Sequence, residues 1–571
     1  MRSLPLIALL AGCPGPTTEP TDPADCTPLA PEDVREGGTL SGCYTVESGL
    51  YIEGDLVVEA GSTFVMAPDS FVQVELSGSL AVNGTSEEGV VFRGEDSTPG
   101  SWYGIGYIGS PAPANTLAHT TVEGACSGAW NGAGESVGGV FVEDDGRLTV
   151  ESLTVSGCPG VALHIWEPIA RVTVDGLVTL DVDMPVRLPA VLAPGLGGSL
   201  DLAGTDGTVH LSDGFLDEAT ALPPLDYTVE DTLRAEGVDL TLAAGSTLRF
   251  ALNTGIDVYD GGSFSAEGTA EAPIVLQGVE ALRGTWLGVH LYVSNSTDNV
   301  MRHVTIDGAG SEQWHGGERS RAGLYLEGDE VRLTVSDTTI RNCEGPAVSI
   351  DGEDPAGKIA ISDSTFTDCE ESALVSPDAS SALDASVVLT GNDVDHVRIA
   401  HLASGSDWLS ESVVWPARDV PYYVDDTVYV SGSLTIEPGA TVVFDDDQGI
   451  SVGNWPASGG TITIGGTGDP VLLTGESAVA GAWRGISIYG SLTNTITNTR
   501  IEYAGSSQWT GATESQAAVY LEDDAALDLT DTVFANNEGG DAYADYDSVI
   551  TGCTGVVGTV AGDVDATVCT P

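Results

Sequence analysis

The side chains best suited to chemistry recur three times along the chain. Trp130, Trp314 and Trp509 end the segments VEGACSGAW, IDGAGSEQW and IEYAGSSQW, and each segment opens with an aligned carboxylate, Glu123, Asp307 or Glu502. A second carboxylate follows each loop: Glu143, Glu327 or Glu522. An indole beside carboxylates suits a sugar, because the apolar ring face stacks while the oxygens accept hydrogen bonds from hydroxyls. The competing expectation is that each indole packs its own loop onto the body of the protein. A separate series, Trp102, Trp286 and Trp483, sits in G-x-W-x-G-[IV] contexts and is expected to cover the end of an apolar core.

Other candidate chemistry is thinner. His119 and His303 precede Glu123 and Asp307 by four positions, with Asn498 in the third copy. On a strand that offset separates the side chains by ~13 Å, too far for a proton relay, so both histidines are expected on a solvated face. Runs such as Asp445-Asp446-Asp447 and Asp523-Asp524 read as acidic turns. Carboxylates can hold Ca2+, but neither an EF-hand loop nor a Gly-Gly-x-Gly-x-Asp repeat occurs, and no CxxC pair offers zinc spacing. No metal or other cofactor is expected. With 85 acidic against 19 basic residues in 571, the formal charge is -66. Such a surface repels nucleic acid and anionic lipid headgroups, which excludes those partners.

These residues are carried by a long internal repeat. The stretch YTVESGLYIEGDLVVEAGSTF from Tyr44 returns as YTVEDTLRAEGVDLTLAAGSTL from Tyr227 and as YYVDDTVYVSGSLTIEPGATV from Tyr422. The tryptophan segments follow in the same order each time, so three tandem units are expected over 44–226, 227–421 and 422–571. Within each unit, runs of 4 to 7 residues alternate Val, Ile, Leu and Thr with polar residues and end in Gly, Asp, Asn or Ser. That is strand periodicity with turn punctuation. The 73 glycines and the single lysine, Lys358, also argue against helix.

The chain starts differently. Met1-Arg2, the apolar run Leu4 to Ala11 and the site Leu10-Ala11-Gly12-Cys13 resemble a bacterial lipoprotein signal. The resemblance implies cleavage after residue 12 and a lipid on Cys13, hence an outer-membrane or cell-surface address with membrane contact through the anchor only. Residues 13–43 follow as a Pro- and Thr-rich acidic tether and cap. Export agrees with the cysteines. Beyond Cys13 they fall into sequence neighbours, Cys26 with Cys43, Cys126 with Cys158, Cys343 with Cys369, and Cys553 with Cys569, and four disulfides are expected. TTIRNCEGPAVSI and STFTDCEESALVS repeat 26 residues apart, which would stack Cys343 and Cys369 on successive coils.

The AGSTF-type turns and the asparagines at Asn342 and Asn536-Asn537 resemble the right-handed parallel β-helix, the pectate-lyase-like superfamily, in its bacterial surface lipoprotein form. The resemblance covers roughly residues 44 to 565 and implies an all-β, single elongated β-solenoid. Catalytic members cut acidic polysaccharides with clustered aspartates and a nearby Arg or Lys, but none of their residues maps here; Arg398-Ile399 runs into Ala400. The expected function is therefore a monomeric, lipid-anchored, noncatalytic surface scaffold or adhesin-like module contacting extracellular polysaccharide or envelope components. The alternative is a polysaccharide lyase or glycoside hydrolase. Fold alone does not decide between them.

Overall fold

The computed structural model describes residues 25–96, 98–202, 207–315, 317–352, 357–401, 408–453, 459–490 and 492–569. Cys13, the signal segment 1–12 and most of the Pro-rich tether lie outside them.

Alternation in the sequence becomes burial in the structure. In Asp55–Glu59, Leu56 and Val58 point inward while Asp55 and Glu59 face solvent. The strand pairs in parallel with Ser79–Asn83, setting Leu56 on Leu80 and Val58 on Val82. Each such side chain taken out of water contributes about 1.5–3 kcal/mol, and like residues stack rung upon rung as ladders within the core. Tyr44, Phe64 and Phe92 form one column of it, with ring centroids 5.5 and 4.6 Å apart.

The chain divides into two compact units, one of residues 1–187 with 195–207, the other of 188–194 with 208–571. In the first, Cys43–Val46, Thr63–Met66, Val90–Gly94 and Thr116–Glu123 pair successively in parallel. The second holds both later sequence copies. Its 13-stranded parallel sheet runs from Phe215–Leu216 to Val533–Ala535. There Gly255–Tyr259, Gly288–Tyr292, Leu324–Glu327, Pro346–Asp351 and Glu371–Val375 are successive rungs. Between rungs the chain visits two other sheets. This all-β stack of open parallel sheets fits a β-solenoid.

Two expectations about strands are corrected. Arg147–Ile165 and Arg171–Leu188 are ladders of 19 and 18 residues, far longer than the short runs the sequence suggests. Residues in the left-handed region, Ser152 (φ 63°) and Gly157 (φ 60°) in one, Gly176 (φ 101°) and Asp181 (φ 53°) in the other, turn the corner without ending the pairing. His119, His303 and Asn498 are likewise corner residues, at φ 40°, 47° and 46°, and not members of a straight strand face. Asn and His tolerate that region better than most side chains, which explains their shared position.

Three of the four expected disulfides are present: Cys26–Cys43, Cys126–Cys158 and Cys553–Cys569. The fourth is a correction, since Cys343 and Cys369 are buried free thiols. They do stack on neighbouring coils, but the Cys343 amide donates to Cys369 Sγ at 3.3 Å and the Cys343 thiol donates to the Arg341 carbonyl. Burial, then the neighbouring Cys369, pushes the Cys343 thiol well above its ordinary range, so the reactive thiolate is suppressed.

Candidate functional site

Each tryptophan series takes a distinct place. Trp102, Trp286 and Trp483 are fully buried, as expected of core caps. Their indole N–H groups donate to the backbone carbonyls of Glu123, Asp307 and Glu502, each at 2.8 Å. That is how the first aligned acids matter structurally. Their side chains belong elsewhere: Glu123 is exposed, Asp307 pairs with Arg341 at 2.8 Å, and Glu502 pairs with Arg500 at 2.7 Å. In the first two copies it is the second acid that meets the loop: Glu143 accepts from Asn131 and Glu327 faces His315.

The loop tryptophans lean back onto a sheet and are half-buried. Trp130 donates to the Gly138 carbonyl at 2.9 Å and lies parallel to Phe141, with Phe71 and Tyr103 edge-on. A Cβ on Gly106 would stand 2.6 Å from its ring, so only glycine fits beneath it. Asn131 donates to Glu143 at 2.8 Å. Trp509 lies under the Arg484 guanidinium, 4.3 Å from the ring centroid, a cation–π contact that occupies one face. At the position aligned with Gly106, Ser487 shares a hydrogen bond of 3.0 Å with Ser451.

The middle loop is different. The sheet column below it reads Asp257, His290, Tyr325 and then Ser349, direct rung partners. His290 is only 2% exposed, stacks on Tyr325 at 5.0 Å between centroids, and lies 5.1 Å from the Trp314 ring. His290 Nδ1 meets Asp257 Oδ1 at 2.9 Å, and its Nε2 faces Glu327 Oε2 at 3.4 Å. His315, next in the loop, reaches the same oxygen with Nε2 at 3.1 Å. Burial works against a charged His290, yet Asp257 and Glu327 outweigh it and hold the imidazole above the ordinary histidine value. Glu327 is held below the ordinary carboxylate range, chiefly by facing His290 and despite its burial.

A cleft of about 790 Å³ opens beside this column, lined among others by His315, Arg319, Arg321, Glu327, Glu371 and Arg398. In a chain this acidic, three guanidiniums in one cleft are a marked local exception. All are already paired. Arg398 meets Glu371 at 3.1 Å and Asp425 at 3.6 Å, Arg321 meets Glu344 at 2.8 Å, and Arg319 reaches the His401 carbonyl and Asp425. Burial raises the Asp425 carboxyl above its ordinary value, with Arg398 opposing.

Sequence reasoning did not single out His290, His315 or Asp257, and it set Arg398 aside as no match to a catalytic motif. A signal was present: His290 aligns with Gly106 and Ser487, and His315 with Asn131 and Thr510, so both histidines are confined to the middle copy. The arrangement defines an all-β protein of stacked parallel sheets with a polar cleft of mixed charge beside a histidine–carboxylate cluster. Comparison with protein-family models, with curated proteins and with solved structures finds no match.

Proposed function

We propose that this chain is an exported surface scaffold, anchored by lipid on Cys13, whose right-handed parallel β-helix of three tandem units holds polysaccharide in the cleft beside the middle tryptophan loop. The observation that carries the reading is the convergence of Arg319, Arg321 and Arg398 with Glu327 and Glu371 on one cleft. Fixed, paired guanidiniums and carboxylates present donors and acceptors together, which suits a hydroxyl-rich ligand that needs both. The packed rings of Trp130 and Trp509 argue against three equivalent stacking platforms. Trp314, with Gln313 and His315, borders a neighbouring hollow and remains a contact candidate.

The test is retention of purified protein on immobilised pectin, alginate and chondroitin-type polymers. Arg398→Ala should lower retention about tenfold or more, as expected when a charged hydrogen bond worth about 1.5–3 kcal/mol is removed. Retention unchanged by Arg398→Ala would reject the cleft. Cys13→Ala should release the protein from membranes, and continued pelleting would reject the anchor.

One feature favours a second reading, that of a polysaccharide lyase or hydrolase. Glu327, Glu371 and Arg398 place carboxylates and a cation in one cleft, the components of acid–base cleavage. New reducing ends or unsaturated products, lost in Glu371→Gln, would establish that activity; binding without release supports the scaffold.

A further inference from the structure

The cluster under the middle loop has the geometry of a metal centre. His290, His315 and Glu327 each offer one ligand atom, and these atoms all lie within 4.8 Å of one another. Zinc holds nitrogen and oxygen donors at about 2.0–2.1 Å in a tetrahedron, which sets donor–donor edges of about 3.3 Å. The two edges that meet at Glu327 Oε2 are 3.4 and 3.1 Å. Donors packed only for mutual hydrogen bonding would be expected nearer 2.9 Å and aligned. Instead, buried His290 Nε2 and Glu327 Oε2 face each other at 3.4 Å without forming a well-aligned hydrogen bond.

The surroundings complete the pattern. Asp257 accepts from His290 Nδ1 at 2.9 Å, which fixes the tautomer and directs the Nε2 lone pair at the cluster, as a carboxylate behind a ligating histidine does. Two imidazoles and a carboxylate suit a borderline cation and are too few and too nitrogen-rich for calcium, which takes six to eight oxygens. His315 is 56% exposed, so a fourth position is open to solvent. The other copies have Gly106 with Asn131, or Ser487 with Thr510, and cannot make the site.

We infer that His290, His315 and Glu327 bind one divalent transition cation of the zinc type, with Asp257 as the positioning residue for His290. The cation ties the loop that follows Trp314 to two rungs of the sheet. Zinc binding does not require the glycan reading, although His315 and Glu327 also line the cleft. Its competitor is a positively charged imidazole held between two carboxylates with no metal.

The test uses the whole exported chain, stripped with EDTA and titrated with Zn2+ against a chromophoric chelator, and separately with Co2+. The expected result is one equivalent of tightly bound zinc and, with cobalt, the visible absorption of a tetrahedral or five-coordinate centre. His315→Ala, on the exposed side of the loop, should weaken zinc more than about 100-fold, and Asp257→Asn by roughly 10–100-fold. Melting in EDTA identical to the parent protein shows that each variant is folded, and His315→Gln substitutes where alanine is not. Absence of stoichiometric zinc, or zinc binding unchanged by His315→Ala or His315→Gln, overturns the inference.

Discussion

The first and second tryptophan loops are built on the same sequence frame and fill the same place with opposite chemistry. Under Trp130 the sheet offers Gly106, and the indole drops onto it among Phe71, Tyr103 and Phe141. Under Trp314 the aligned residue is His290, flanked by Asp257 and Glu327, and the indole is displaced toward Gly255. One loop is thus closed by carbon, with its single N–H satisfied. The other encloses nitrogen and oxygen atoms that face one another without well-aligned hydrogen bonds. A solenoid tolerates this because each rung is stabilised mainly by the rungs beside it, so one copy can diverge without unsettling the rest.

The largest expected effect tests the closed loop. Trp130→Ala removes a packed indole and its hydrogen bond and should cost about 3–5 kcal/mol, read from denaturant midpoints, with retention on glycan unchanged. A small stability loss with lost retention would turn the first loop back into a sugar platform. Next is zinc on the middle loop. Free zinc at about 100 times its dissociation constant should stabilise the parent chain by about 2.7 kcal/mol and leave His315→Ala unmoved. Equal stabilisation of both would place the cation elsewhere on the acidic surface.

Gly106→His sharpens the contrast. The new side chain meets Trp130 at 2.6 Å and must displace it, an overpacking cost of about 1–3 kcal/mol. It should not create a zinc site, because its rung neighbour is Gln73 and its loop residue is Asn131. Zinc binding by this variant would show that the cluster needs less than its full set of ligands.

The uneven legibility of the sequence has physical causes. Burial of Leu56 and Val58, and of the tryptophans at 102, 286 and 483, follows from alternation and was readable because period-two patterning is local. Three disulfides were readable from neighbouring cysteines. The Cys343–Cys369 bridge was not, because stacking sets the backbones close while side-chain orientation and hydrogen bonding decide where each sulfur points. That Glu143, and not Glu123, meets the loop after Trp130 was unreadable for another reason. Repeat alignment gives the order of strands but not which of three sheets a loop folds onto. The proposed metal-ligating set was hidden because His290 and Glu327 stand on different rungs, far apart in sequence, and a search for close His or Cys spacing passes over them.

The smallest effect concerns the aligned acids. Glu327 is pulled below its ordinary range, whereas Glu522 is raised, first by burial and then by the charge of Asp523. With a native value above the unfolded one, folded protein binds the Glu522 proton more tightly. Stability therefore falls as pH climbs from the ordinary glutamate value through the raised native value, and the penalty persists above it. Glu522→Gln removes that penalty. The variant should be slightly more stable than the parent at neutral pH, and the advantage should shrink as pH drops into the ordinary glutamate range, where the Glu522 carboxyl takes up a proton in the unfolded as well as the folded parent. Urea midpoints of the two proteins at pH 7 and near pH 4 measure it. An advantage that grows toward pH 4, or a variant less stable at pH 7, would mean that the Glu522 carboxylate is held by favourable contacts, as Glu327 is, and the electrostatic distinction between the second and third loops would fall.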